Sequence, residues 1–285
     1  MKFLVLGCNG MAGHMISLYL KERGHEVLGF AQTKSALVDS VSGDAMDAAL
    51  VREVVGVNRF DSVINCVGLL NQFAERRKAD ATYLNAYLPH YLAELTEGTN
   101  TQVIHMSTDC VFSGNRGQYT EGDFRDGTTF YDRSKALGEL EDNKNITLRT
   151  SIVGPDIKPN GIGLLNWFMQ QKGEVMGYTH AIWTGQTTLQ LAKTMEAAAS
   201  DKAHGLFNIV PDESISKYDL LELFNQYLRK SKLTILPDGK TVVDKSLKRT
   251  RWTFDYQIPG YERMVCELAD WIKAHRTLYP HYNLP

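Results

Sequence analysis

Tyr131 and Lys135 stand four residues apart in a segment with helical patterning, which puts both side chains on one face. A free tyrosine titrates near ~10 and is a poor proton donor at neutral pH, but an adjacent ammonium stabilises the phenolate and lowers that value. Such a pair suits handing a proton to a forming alkoxide. Thr108 follows an apolar run, residues 102–107, and its hydroxyl could donate to the same oxygen. This is equipment for reducing a carbonyl, provided that a nicotinamide supplies the hydride. By itself Tyr-x-x-x-Lys is a weak signal in a chain with 13 tyrosines, so the reading depends on a dinucleotide site elsewhere.

That site is predicted at the N-terminus. The apolar run Lys2–Leu6 leads into Gly7-Cys8-Asn9-Gly10-Met11-Ala12-Gly13 and then into the helical pattern of residues 11–22. Glycines between a strand and a helix permit a tight turn, let the backbone approach a pyrophosphate and allow the helix to pack closely on the sheet. Gly7, Gly10 and Gly13 are thus cofactor candidates, with the dinucleotide resting on Gly10, Met11 and Ala12. At the end of the second strand an acid would bind the ribose hydroxyl of NAD. Here the sequence reads Gly29-Phe30-Ala31-Gln32-Thr33-Lys34-Ser35. Thr33 and Lys34 would suit a 2′-phosphate, so NADP(H) is preferred, with NAD(H) left open.

The elements around these residues follow an alternating pattern. Strands are predicted over residues 2–6, 26–30, 62–66, 102–107 and 146–149, and helices over 11–22, 45–55, 76–96 and 130–141. Short apolar runs without alternation mark strands buried on both faces of a parallel sheet. The expected fold is α/β, a Rossmann-type doubly wound parallel sheet with a smaller C-terminal α/β lobe. Residues 1–150 and about 184–211 would form the dinucleotide-binding domain, and 151–183 with 212–285 the substrate lobe. Further helices are expected near 164–171, 189–199 and 217–228.

At 285 residues, 43% hydrophobic and 22% charged, the composition is that of a folded protein. With 31 basic and 33 acidic residues the net charge is −2, which excludes a global positive field for nucleic acid or anionic lipid. Cys8, Cys66, Cys110 and Cys266 are scattered and show no metal-ligand spacing. No window has the ~20 apolar residues of a membrane helix. A cytoplasmic protein without metal and without membrane contact is expected.

The glycine loop, the threonine at a strand end and the Tyr-Asp-Arg-Ser-Lys pentad together resemble the extended short-chain dehydrogenase/reductase family. More narrowly, STDCVFSG, LRTSIVG, GLFNIV and SKYDLLEL are similar to its dTDP-4-dehydrorhamnose reductase branch. The resemblance implies NADPH-dependent reduction of the 4-keto group of a nucleotide-activated 6-deoxyhexose, in the synthesis of sugars for surface polysaccharide. Thr108, Tyr131 and Lys135 match the family triad. Asp44, Ala45, Cys66, Val67 and Gly68, with Tyr131 and Lys135, would line the cofactor, and Thr108, Asp109 and Tyr131 would meet the sugar. Trp183 falls where the family brings a loop to the sugar, though packing between lobes suits it equally. A homodimer is left open.

Two positions depart from that branch. Cys110 stands where a tyrosine is common, and Ile152 where the branch has a tryptophan; both lie toward the sugar, so the hexose can differ. Arg249, with Lys245 and Arg251, could grip a diphosphate, and an exposed basic turn explains the trio as well. Asn85 is read as a backbone-bonding structural residue, and His14, His90 and His105 as packed or capping residues. The rival readings are a nucleotide-sugar epimerase, a dehydratase and a non-catalytic dinucleotide-binding subunit. Dehydratases of this fold carry Asp-Glu after the threonine; here Cys110 follows Asp109.

Overall fold

In the computed structural model, which describes residues 1–282 and 284, the first apolar run becomes β1 (Lys2–Leu6) at the middle of a sheet. Its side chains alternate between two buried layers. Phe3 and Val5 pack with Ile16, Leu20 and Leu191, while Leu4 and Leu6 pack with Val51, Val63 and Leu92. Burial on both sides is why the run shows no polar alternation.

The chain continues through α1 (Met11–Glu22), β2 (Glu26–Ala31), β3 (Asp39–Ser42), α2 (Ala48–Val57), β4 (Ser62–Asn65), α3 (Asn71–Arg76) and α4 (Lys78–Ala81). A π-helical turn, Thr82–Tyr87, then leads into α5 (Leu88–Leu95). After β5 (Gln102–Ser107) come α6 (Phe130–Leu137), β6 (Ile146–Arg149), β7 (Ser151–Val153), α7 (Leu164–Met169), β8 (Glu174–Trp183) and β9 (Gly185–Thr187). The remaining elements are α8 (Thr188–Ser200), β10 (Gly205–Asn208), β11 (Ile215–Ser216), α9 (Lys217–Arg229), β12 (Thr234–Asp244) and α10 (Tyr261–Ala274).

Seven strands form a parallel sheet in the order β10-β6-β5-β4-β1-β2-β3. The order reverses between β1 and β4, and at such a point the loops leaving neighbouring strands diverge and open a crevice. This is the expected doubly wound α/β fold. A three-stranded sheet, β11-β8-β12, carries a second core built of Phe168, Trp183, Phe224, Met264 and Leu268 against α9 and α10.

Four differences from the sequence reading have physical causes. The edge strand β3 is polar and half exposed, so DSVS carries no apolar signal. Residues 76–96 are broken up by the π-helical turn. The helix at 130 ends at Leu137 because Gly138 follows, where a Cβ would lie 1.9 Å from the Asn85 carbonyl oxygen. The Gly/Pro-containing stretch LPDGK carries no strand pattern, yet it lies inside β12, which has only β8 beside it and is irregular between Asp238 and Val242. An edge strand tolerates proline there. Among the described residues, no helix is long and apolar enough to cross a membrane.

Candidate active site

Gly7 leaves β1 at φ +81°, a left-handed backbone suited to glycine. Its N–H donates to the Phe30 carbonyl at 2.8 Å and its own carbonyl accepts from Gly10 N–H at 2.9 Å. A Cβ on Gly13 would lie 2.1 Å from the Gly7 oxygen, so α1 seats on the loop only with glycine at that position. No side chain caps α1 at Gly10, which leaves first-turn N–H groups for an anion. Gly13→Ala is therefore expected to raise the dinucleotide Kd at least about tenfold and to cost about 1–3 kcal/mol of stability. Fluorescence titration and denaturant melts check both, and an unchanged Kd would remove the loop from the binding surface.

Two cavities of about 410 Å³ each share Gly10, Cys66, Val67 and Gly68 and so form one crevice over the sheet's switch point. One end is lined by Gly7, Thr33, Asp44 and Ala45, together with Arg77 and Lys158. The other holds Met11, Ala12, Gly13, Thr108, Asp109, Cys110, Tyr131, Lys135 and Ile152. Residues far apart in the chain thus meet in one space. Asn9 fastens the two loops at the first end, its side-chain amide donating to the Thr33 carbonyl at 2.8 Å.

Thr108 leaves β5 and accepts from Cys110 N–H at 3.1 Å, while its hydroxyl donates to the Asp109 carboxylate at 3.1 Å. Tyr131 lies in the first turn of α6, whose start is set by a reciprocal capping box between Thr129 and Asp132. Lys135 donates to the Met106 carbonyl at 2.7 Å and lies 3.3 Å from His105 Nε2. Burial brings the Lys135 amine down to about 8, against the opposing charge of Glu139. Burial also raises the Tyr131 phenol above its ordinary value, the neighbouring Cys110 adds to this, and the Thr108 hydroxyl opposes it. The Lys135 amine is held beside Met106 and His105 and lines the same cavity as Tyr131.

The remaining candidates are placed as follows. Lys34 is exposed and lines neither cavity, whereas Arg77, which pairs with Asp80, and Lys158 line the same cavity as Thr33. Trp183 is 4% exposed and packs in the second core against Tyr261. Arg249 directs its guanidinium to the carbonyls of Arg251, Phe254 and Tyr256, which leaves it organising its own loop. Arg251 pairs with Glu141 at 2.7 Å. Asn85 bonds both backbone groups of Leu69 and the Ser134 hydroxyl, tying the loop after β4 to α6. His14 is buried between the Gly10 carbonyl and the Tyr279 hydroxyl; His105 is buried too, but it also touches Lys135.

Sequence reasoning missed Arg77, Lys158 and Asp156 as cavity-lining residues, and Lys217, whose amine lies close enough to influence Asp109. None has a local pattern that sets it apart from surface charge. Among the described residues, no group of three or more His, Cys, Asp or Glu side chains is arranged to hold a metal ion.

A family model described as the RmlD substrate binding domain matches residues 1–254. The chain is 34% identical over 139 residues to a probable low-salt glycan biosynthesis reductase, Agl14, of Haloferax volcanii, covering 47% of this chain and 46% of that protein. It is 32% identical over 158 residues to the spore coat polysaccharide biosynthesis protein SpsK of Bacillus subtilis, covering 53% of each. The chain is thus matched over about half the length of these curated relatives. A solved dTDP-4-dehydrorhamnose reductase from Bacillus anthracis, in complex with NADP, superposes with a TM-score of 0.79 at 20% identity, covering 95% of this chain and 99% of that one; this likeness is one of fold.

Proposed function

The chain belongs to the RmlD substrate binding domain family, and from that premise we propose that it is an NADPH-dependent reductase of the 4-keto group of a nucleotide-activated 6-deoxyhexose. The observation that carries the reading is the meeting of Thr108, Tyr131 and Lys135 in one cavity continuous with the glycine-loop crevice. The reading extends to sugar supply for surface polysaccharide, to a cytoplasmic location and to a homodimer. Residues 1–150 with about 184–211 would carry the dinucleotide, and 151–183 with 212–285 the sugar.

The crevice fits such a cofactor. The approach of Gly13 to Gly7 and the uncapped start of α1 suit a pyrophosphate, and Arg77 and Lys158, which line the same cavity as Thr33, suit a 2′-phosphate. When bound, a reduced nicotinamide supplies the hydride. This chain's residues manage the proton: the Tyr131 hydroxyl donates to the former carbonyl oxygen and Thr108 turns its hydroxyl from Asp109 to the same atom. The Lys135 ammonium then stabilises the phenolate that remains. Dehydration is disfavoured, because the thiol after Asp109 is pushed up to about 12 by burial and supplies no charged acid-base group.

Stoichiometric NADPH oxidation is expected when a panel of nucleotide-linked 4-keto-6-deoxyhexoses is added, with NADH slower at equal concentration. Dinucleotide binding without turnover of any ketosugar would overturn the reductase reading in favour of a non-catalytic subunit.

A further inference from the structure

Asn65 and His105 lie opposite each other where β4 and β5 pair in parallel, so their side chains share one face of the sheet. Both are fully buried. The Asn65 side-chain oxygen accepts from Val67 N–H at 3.1 Å, and its amide nitrogen lies 3.3 Å from His105 Nδ1. On the far side of the ring, His105 Nε2 lies 3.3 Å from Lys135 Nζ, which donates to the Met106 carbonyl at 2.7 Å. Neither Asn65 nor His105 lines the crevice; they reach it through Lys135.

These contacts fix where the ring proton sits. A backbone N–H only donates, so the Asn65 atom facing Val67 is the oxygen and the atom facing the ring is the NH2 group. His105 Nδ1 therefore accepts. Burial and the charge of Lys135 hold His105 well below its ordinary value, so the ring carries a single proton. That proton is on Nε2 and points at Lys135. An unprotonated amine has a lone pair to receive it, whereas an ammonium has only donors and meets it N–H against N–H. In a buried place water does not relieve that opposition.

The other groups around Lys135 are accounted for. Glu139 on the same helix is taken up by Arg149 and Arg125, and burial keeps the Cys66 thiol after β4 protonated. Tyr131 and Asp109 share its cavity. His90 of α5 bonds the Leu137 carbonyl. From α3 and α4, which pack on α6, Glu75 accepts from Phe130 N–H, Lys78 lies over the Phe130 ring and Asp80 pairs with Arg77. Burial already lowers the Lys135 amine to about 8, and the ring proton acts in the same direction.

We propose that Asn65 and His105 are positioning residues that act through Lys135: Asn65 aims the one ring proton of His105 at Nζ, which favours the amine and sets the pH at which the site loses its ammonium. The effect on turnover rests on the reductase reading above; the placement of the proton does not.

The test uses the full chain labelled with nitrogen-15 histidine, the His105 ring signals being assigned by their loss in His105→Gln. The wild type is expected to show the Nε2–H tautomer from about pH 6 to about pH 9. Asn65→Asp keeps an acceptor for Val67 and offers the ring an oxygen, which moves the proton to Nδ1 and frees Nε2 to accept from the ammonium. The Lys135 midpoint, followed by the carbon-13 Cε signal that Lys135→Met removes, and the pH above which kcat falls should both move up by about one to two units, the worth of one hydrogen bond to a charged group. His105→Gln, whose side-chain oxygen can accept from the ammonium without adding charge, should move both in the same direction. An Nδ1–H ring in the wild type overturns the inference. So does a Lys135 midpoint that stays in place in His105→Gln, since any shift in Asn65→Asp is then the added carboxylate's charge. Should Asn65→Asp not fold, the wild-type ring signals and His105→Gln decide. A wild type that reduces no ketosugar overturns the reductase reading, while the ring and lysine signals still decide this one.

Discussion

Tyr131→Phe is expected to lower kcat for ketosugar reduction by about 10²- to 10⁴-fold, the usual range for removing a positioned proton donor, while the NADPH Kd stays within about twofold. The substitution deletes one oxygen from a side chain that is 7% exposed and packed beside Ala74 and Ala81, so the fold has little reason to change. Tyr131 lines the same cavity as Thr108, Asp109 and Cys110. Burial raises its pKa, so it is held protonated, in the state needed to donate. Single-turnover absorbance of NADPH separates the hydride step from binding. Turnover within about threefold of wild type would remove Tyr131 from the proton path.

Lys135→Met is expected to cost about 10²- to 10³-fold in kcat and to remove a pH dependence that the wild type shows. The Lys135 amine has its pKa lowered from the ordinary lysine value to about 8, so its ammonium is complete below that pH and disappears as pH rises through it. Wild-type kcat should fall above about pH 8, because the phenolate left on Tyr131 then lacks its counter-charge. The variant, already without the ammonium, should be flat there. Stability runs with a definite sign as well. A buried lysine with a lowered pKa costs the folded state most below about pH 8, and the cost fades as pH approaches the unfolded value near ~10.4. The melting-temperature difference between variant and wild type should therefore change between pH 7 and pH 10, in the direction that favours the variant at pH 7. A wild-type profile that is level from pH 7 to pH 9.5 would sink the assignment.

The bounds of β1, β5, β6 and α1 were legible in the sequence because their signals are local. Strand runs such as FLVL are buried on both faces, and Gly7 and Gly10 mark where strand gives way to helix. β3 and β12 were not legible, since an edge strand with one partner needs no continuous apolar run. The site divides in the same way. The glycine loop and the Tyr131–Lys135 spacing are short-range features, whereas Arg77 and Lys158 come to the Thr33 end of the crevice from two distant loops.

What the sequence by itself determined is the set of chemical parts and the elements that carry them: a strand–glycine–helix cradle, a helix with tyrosine and lysine on one face, and a threonine at a strand end. Chain neighbours a few residues apart have their relative geometry set by backbone periodicity, so spacing alone reveals it. Only the tertiary structure decided how each part is used. It engaged Lys135 with Met106 and His105, satisfied Arg249 with carbonyls of its own loop, and laid Lys217 over the Trp183 ring. The physical reason is desolvation. Whether a charge is spent on a structural partner or kept for a ligand depends on burial and on contacts between residues far apart in the chain, and no short-range pattern encodes either.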